Sequence, residues 1–419
     1  MFGQMIKKWW FWPLVLGLFV RLILIPITLH SDLWVFVSSG YIFTHEKVLN
    51  IYDHIIKLPQ DSVFLKHIGN PYEYFIYPPL AYITFGIFHL PISRFIDPDF
   101  ITNFWVDSLS IYSNSGLFFN LFLFKLPYLL VDIASGFYLA KIFEKEIHQK
   151  YAFLLWMLNP VTLYATSMMG QFDIIPTFFA ILALYYAKNS KHTLAIISLG
   201  IGASFKMFPM LFIFPAAFIF GKRFIDKLRY IILGFLPFLL TILPFITSPA
   251  FRQMALFSPK NQKMLFMGLN VSGAEVIYPF IILLTIIFLH AFYAKVKFQL
   301  EDYFLAILLL MLSVTHFHPQ WFLWATPLLI IYLIKTEFKY SLLVISLIIA
   351  WFVITLSFES SLSYGLFNPV NPGLKDALSL SEMLGNYTDV FQLKSLVRSY
   401  FAASSLFIFW SLTREKSLS

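Results

Sequence analysis

Asp32 stands three positions beyond an apolar run over residues 9–29, at the point where the chain turns polar. Other polar side chains recur at similar places, each between two apolar runs. Gly170-Gln171-Phe172-Asp173 makes one such turn, Lys206 sits at another, and His316-Phe317-His318-Pro319-Gln320 makes a third. Arg252, Lys260 and Lys263 lie in the segment 248–275. His30 precedes Asp32, and Tyr77-Pro78-Pro79-Leu80 opens a further apolar stretch. A carboxylate can take the proton of an attacking hydroxyl. Cationic groups can stabilise charge that develops on a departing anion. The candidate site groups are the acids Asp32 and Asp173, the basic and imidazole side chains of Lys206, Arg252, Lys263, His316 and His318, and the neighbouring His30, Tyr77, Gln171 and Gln320.

Each group also has a plainer reading. Asp32 can be a solvated acid or a helix cap. Gln171 and Asp173 can cap the helix that follows, where a negative charge is favourable. Lys206, between Phe205 and Met207, can snorkel. His316 and His318 are two positions apart, which is wrong for one helix face, and Pro319 ends the helix; this favours hydrogen bonding over metal chelation.

The elements that must carry these groups are apolar helices. Of the 419 residues, 59% are hydrophobic and 12% charged, with a mean hydropathy of +0.75; about 25% charged is ordinary for a soluble domain. The runs are continuous and lack the two-residue alternation of a barrel. The expected fold is an all-α, polytopic transmembrane bundle of one domain over 1–419. Its spans fall near 9–29, 118–141, 151–168, 173–188, 193–205, 207–220, 228–247, 276–294, 302–317, 321–335, 340–358 and 396–412, about twelve in all. Residues 74–93 read as a re-entrant or interfacial helix, or as one of a pair of spans with 100–116. Arg21 and Asp132 fall inside spans, where a charge costs about 2.5–3.5 kcal/mol on insertion scales, so they are expected to form a structural ion pair. Lys125 could instead reach a phosphate.

More than half of the 30 basic residues lie in the short loops. By the positive-inside rule both termini are cytoplasmic, and the segments 30–117, 248–275 and 359–395 are extracytoplasmic. Those segments hold Asp32, Asp53, Asp61, Glu73, Asp97, Asp99 and Asp107. The last of them, rich in Ser, Asn, Gly and Pro, reads as a surface loop or lid. The net charge of +8 is spread over loops rather than gathered in a stripe, so no nucleic-acid partner is expected. The absence of cysteine excludes disulfides and thiolate metal sites.

The ordered set Arg21-Leu22, His30-Ser31-Asp32, Asn50-Ile51-Tyr52, Tyr77-Pro78-Pro79-Leu80, Lys125-Leu126-Pro127, Leu158-Asn159-Pro160, Gly170-Gln171-Phe172-Asp173, Ser204-Phe205-Lys206 and the His316–Gln320 turn resembles multi-span glycosyltransferases of the GT-C fold. More narrowly it resembles prokaryotic relatives of PIG-V type GPI mannosyltransferases and of glycosyltransferase family 87, over about residues 20–330. The resemblance implies an integral, multi-pass enzyme of a prokaryotic plasma membrane. It would move a sugar, mannose by family association, from a polyprenyl-phosphate donor to a lipid-linked glycan, glycolipid or protein acceptor, with membrane lipids around it. It implies Asp32 as base, Asp173 as a second outer acid for acceptor or metal, and inversion at the anomeric carbon. It leaves room for Mg or Mn, although Asp32 has Ser31 and Leu33 beside it rather than a second acid. A transporter or flippase, with polar residues at the midplane and internal repeats, is the alternative; a non-catalytic scaffold is a third reading.

Overall fold

The computed structural model describes residues 8–414 apart from 66, 67, 69, 97–99, 101–103, 105–109 and 317. Asp97, Asp99, Asp107 and Phe317 lie outside the described residues. The longer helices are α1 Phe11–Ile27, α2 Asp32–Thr44, α3 Pro79–Ile92, α4 Leu117–Ala140, α5 Glu146–Met157, α6 Ile174–Lys188, α7 His192–Ala203, α8 Met210–Phe220, α9 Phe224–Ile242, α10 Pro279–Tyr293, α11 Leu300–Val314, α12 Phe322–Lys335, α13 Ser341–Leu356 and α14 Val390–Arg414. Leu269–Asn270 and Val276–Ile277 add a two-residue antiparallel ladder, which the sequence reading did not include.

The expected bundle of about twelve spans is corrected. Among the described residues, Leu117–Ala140 and Phe224–Phe245 are long and apolar enough to cross a membrane. A third candidate arises if α1 and α2, bent by 81°, count as one span. The physical reason is length. The apolar runs are cut by Thr28–Ser31, by Asn159, by Ser204–Pro209 and by Thr315–His318, leaving helices such as α6 (15 residues), α7 (12) and α8 (11). At 1.5 Å per residue, 15 residues rise about 22 Å, against a hydrocarbon core of about 30 Å. The assignment of termini and long segments to opposite sides of a multi-pass protein rested on that count and falls with it.

Much of the apolar sequence is consumed internally. Leu300 to Leu312 of α11 and Phe322 to Ile334 of α12 are buried at every position. Around this centre, α6 packs on α7 and α4, and α14 packs on α11 and α13. Other apolar residues lie outside, for example on α1 (Phe19), α9 (Phe224, Ile232, Leu240), α10 (Ile286), α13 (Leu342, Ile349) and α14 (Leu396). Within residues 74–93 the helix is α3, whose 14 residues are too few to count as a span. Pro78 and Pro79 start α3, where a missing N–H costs nothing, and α3 lies along α2. The two helices touch at Gly40 and Gly86; a Cβ on Gly40 would come within 2.8 Å of the Phe85 carbonyl carbon. That close pairing holds Asp32, the first residue of α2, against the rest of the site.

Candidate functional site

The site forms where α1 passes into α2 and where a π-helix, Leu163–Met168, passes into α6. In the first junction the chain turns at extended Thr28, and Asp32 opens α2. The Asp32 backbone N–H donates to His30 Nδ1 at 3.2 Å, which requires that nitrogen to be unprotonated. His30 itself is buried behind the acid. In the second junction Gly170 has φ +70°, a left-handed conformation natural to glycine. This turn sends Gln171 inward.

Gln171 Nε2 donates to Asp32 Oδ2 at 2.6 Å. Gln171 is fully buried, whereas the Asp32 side chain is 37% exposed. The amide thus orients a carboxylate that solvent can reach. Gln171 Oε1 is buried without a hydrogen-bond partner, an uncommon condition for a buried acceptor.

Asp173, two residues on, is in a different environment. It is fully buried and accepts from Lys206 Nζ at 2.8 and 3.0 Å and from Trp324 Nε1 at 2.6 Å. The Lys206 ammonium also lies 5.1–5.9 Å from the ring centres of Trp324, Tyr77, Phe172 and Trp321, within the range of cation–π attraction. The same rings bury the ion pair. Tyr77 packs edge-on against Phe172 at 4.8 Å, and its carbonyl accepts from the Tyr52 hydroxyl. Burial, then the charges of Asp32 and Asp173, push the Tyr77 phenol well above its ordinary pKa.

A third part faces Asp32 from the chain's second half. Lys263, in the 3₁₀ segment Pro259–Leu265, lies 2.6 Å from His318 Nε2 and 5.5 Å from the Trp321 ring centre. Burial, and after it the charge of Lys263, pull the His318 pKa down to about 3, while Asp32 pulls weakly the other way. His318 is therefore neutral at physiological pH, and its Nε2 accepts a hydrogen bond from the Lys263 ammonium. Lys263 is itself pushed below the usual lysine range, by burial and then by Lys260 and Lys206. The His316 ring stands 5.6 Å from that of His318, and burial, then Lys263 and Arg398, lower its pKa.

The structure therefore gathers Asp32, His30, Gln171, Tyr77, Asp173, Lys206, Lys263, His316 and His318. Arg252 is not among them: its guanidinium donates to the carbonyls of Ile246 and Thr247. Gln320 is buried beside the cluster's tryptophans with Oε1 lacking a partner. Arg21 and Asp132 lie below the site. Arg21 Nε donates to Asp132 Oδ2 at 2.7 Å with both side chains fully buried, and Trp156 Nε1 donates to the other carboxylate oxygen. Lys125 does not reach toward a ligand: it is fully buried among backbone carbonyls. Trp321 and Trp324 were missed by the sequence reading, because tryptophans in an apolar run carry no signal of a cation beneath them. Among the described residues, no three or more His, Asp or Glu side chains gather as a metal-ligand group.

No protein-family model matches this chain. It is similar to GPI mannosyltransferase 1 of Saccharomyces cerevisiae, at 26% identity over 91 residues. That stretch is 21% of this chain and 22% of the yeast protein, so the chain matches about a fifth of its relative's length. A match of this extent does not establish a GT-C fold or the transfer of mannose. With two or three candidate spans in place of about twelve, the polyprenyl-phosphate-dependent transferase, its lipid donor, its glycan acceptors and the surrounding membrane lipids are not carried forward.

Proposed function

We propose that the cluster binds an anionic, hydroxyl-bearing small molecule, with its phosphate-type or carboxylate group at Lys263 and its hydroxyl at Asp32. The observation that carries this is the partner of Lys263. An ammonium partly removed from solvent commonly meets a carboxylate, yet the half-buried Lys263 meets a neutral imidazole. The nearest fully buried acid, Asp173, is already committed to Lys206. The charge of Lys206 adds to the lowering at Lys263, and an anion beside Lys263 would relieve that repulsion. Asp32, open to solvent and oriented by Gln171, is then placed to accept a proton from a hydroxyl.

The test is calorimetric titration of the full chain with inorganic pyrophosphate. Saturable binding by wild type is expected, weakened about tenfold or more in Lys263→Met, which removes a charge-assisted hydrogen bond. Asp32→Asn is expected to bind pyrophosphate as well as wild type or better, because a negative charge beside the anion is gone. Affinity should decline as pH rises, beginning below the usual lysine range, since Lys263 loses its proton early. Absence of saturable binding, or equal binding by Lys263→Met, would overturn the reading.

A further inference from the structure

Lys125 is a fully buried lysine with no carboxylate against its ammonium. Its Nζ lies 3.1 Å from the Ile25 carbonyl, 2.6 Å from the Thr28 carbonyl and 3.2 Å from Thr28 Oγ1. It lies 3.1 and 2.8 Å from the carbonyls of Ser167 and Met168. The first three oxygens belong to the last turn and C-cap of α1, and the other two close the π-helix Leu163–Met168. Carbonyls at a helix C-terminus have no intrahelical donors and carry the negative end of the helix dipole. The ammonium of Lys125 thus joins two helix C-termini that would otherwise face each other with like partial charge. Each terminus leads directly into one half of the site: Thr28 is four residues before Asp32, and Met168 is three before Gln171.

We infer that Lys125 is a positioning residue for the acid–amide pair, setting the spacing of Asp32 and Gln171 by tying together the helix ends that precede them. A second contact limits the turn further. A Cβ on Gly170 would meet Lys125 Cγ at 3.1 Å and Cε at 3.2 Å, so the left-handed turn folds closely over the lysine stem. Five oxygens share three N–H donors, so some bonds are bifurcated; a methionine or leucine of similar size would take this donor from all four carbonyls at once. What the positioning serves depends on the proposed ligand site; the positioning itself does not.

The chain contains no cysteine, so paired cysteines can report the spacing without background. With Asp32→Cys and Gln171→Cys the direct hydrogen bond is gone, while Lys125 still ties the two helix ends together. The readout is the rate at which the shortest bifunctional thiosulfonate bridges the two cysteines. Adding Lys125→Met should slow bridging about tenfold or more, as a displacement of about 1 Å does for other positioned groups. Lys335→Met, which removes the ion-pair partner of the buried Glu301 and Asp302, should leave the rate unchanged even where it lowers stability. An unchanged rate in Lys125→Met, or equal slowing by Lys335→Met, would overturn the inference. If Lys125→Met does not fold, Thr28→Val removes one of the five oxygens and should slow bridging several-fold; no slowing there would overturn it too. Because bridging needs no ligand, failure of pyrophosphate binding in the wild type would reject the ligand reading while the cross-linking still decides the role of Lys125.

Discussion

Asp32 and Asp173 illustrate what residue type and spacing can and cannot convey. Both were legible as acids at the mouths of apolar runs, and both were read as candidate catalytic groups. Burial separates them. Asp32 is accessible and accepts from a neutral amide, while Asp173 is sealed beneath aromatic rings with Lys206. The two should respond oppositely to loss of charge. Asp173→Asn leaves the Lys206 ammonium, itself only 12% exposed, without its counter-ion, which should cost about 3 kcal/mol. Asp32→Asn should stay within about 0.5 kcal/mol of wild type, as changes at accessible sites usually do. Chemical denaturation of both variants measures the difference; equal destabilisation would mean that Asp32 is structural. The tryptophan lid over Lys206 explains why this was hidden: Trp321 and Trp324 are distant in sequence, and nothing in their spacing announces a cation.

At the scale of the element, helix positions were legible and the capacity to cross a membrane was not. The apolar runs at 118–141 and 228–247 do contain long helices, and those at 173–188 and 193–205 are α6 and α7 at nearly the expected lengths, too short to span, whereas Asn159 breaks the expected run 151–168. The breaks are where the chemistry sits, because a broken helix leaves carbonyls and side chains free to turn inward. The opposite ends of several elements are pinned by charge instead. Glu301 and Asp302 at the start of α11 are held by Lys335 at the end of α12, and Lys188 at the end of α6 also reaches Glu301. Burial pushes the Glu301 pKa up, but Lys335 and then Lys188 more than offset it, so the group sits below its ordinary 4.5. Its contribution to stability is therefore present above about 4.5 and is lost as pH falls through the lowered value. Burial pushes Lys335 down, yet the two acids raise it above 10.5, so its contribution is present below 10.5 and lost as pH rises through the raised value. Lys335→Met should cost about 2 kcal/mol near neutrality. The deficit should shrink below pH 4 as Glu301 protonates in both proteins. Unfolding curves across that range check the sign, and a deficit independent of pH would remove the ion pairs from the explanation.

Across the whole molecule, the residues that hold the site together are far apart in the chain, and this is why the sequence could not place them. Leu29 N–H donates to the Leu366 carbonyl at 2.7 Å, Asn368 Nδ2 to the Leu29 carbonyl at 3.3 Å, and the Tyr164 hydroxyl to the Leu362 carbonyl at 2.7 Å. The segment 359–395 read as a surface loop or lid from its Ser, Asn, Gly and Pro content. Its beginning is instead core: Leu362 and Leu366 are buried, and only later positions such as Tyr387 and Phe391 are exposed. Small polar residues permitted the tight 3₁₀ turns at Ser360–Leu362 and Tyr364–Phe367, so composition indicated irregular backbone correctly and depth wrongly. This segment closes the base of the junction that carries Asp32, which joins a late part of the chain to its first helix. Leu366→Ala should therefore do more than open a local cavity. A buried Leu→Ala change costs about 2–5 kcal/mol. Because Leu366 packs where α1 ends, the loss should appear in one cooperative transition, shifting backbone circular dichroism and tryptophan fluorescence to lower denaturant together. Pyrophosphate affinity measured below that transition should also fall, since the junction at Leu29 leads into Asp32. Separate midpoints for the two probes would show that the late segment unfolds on its own and does not brace the site.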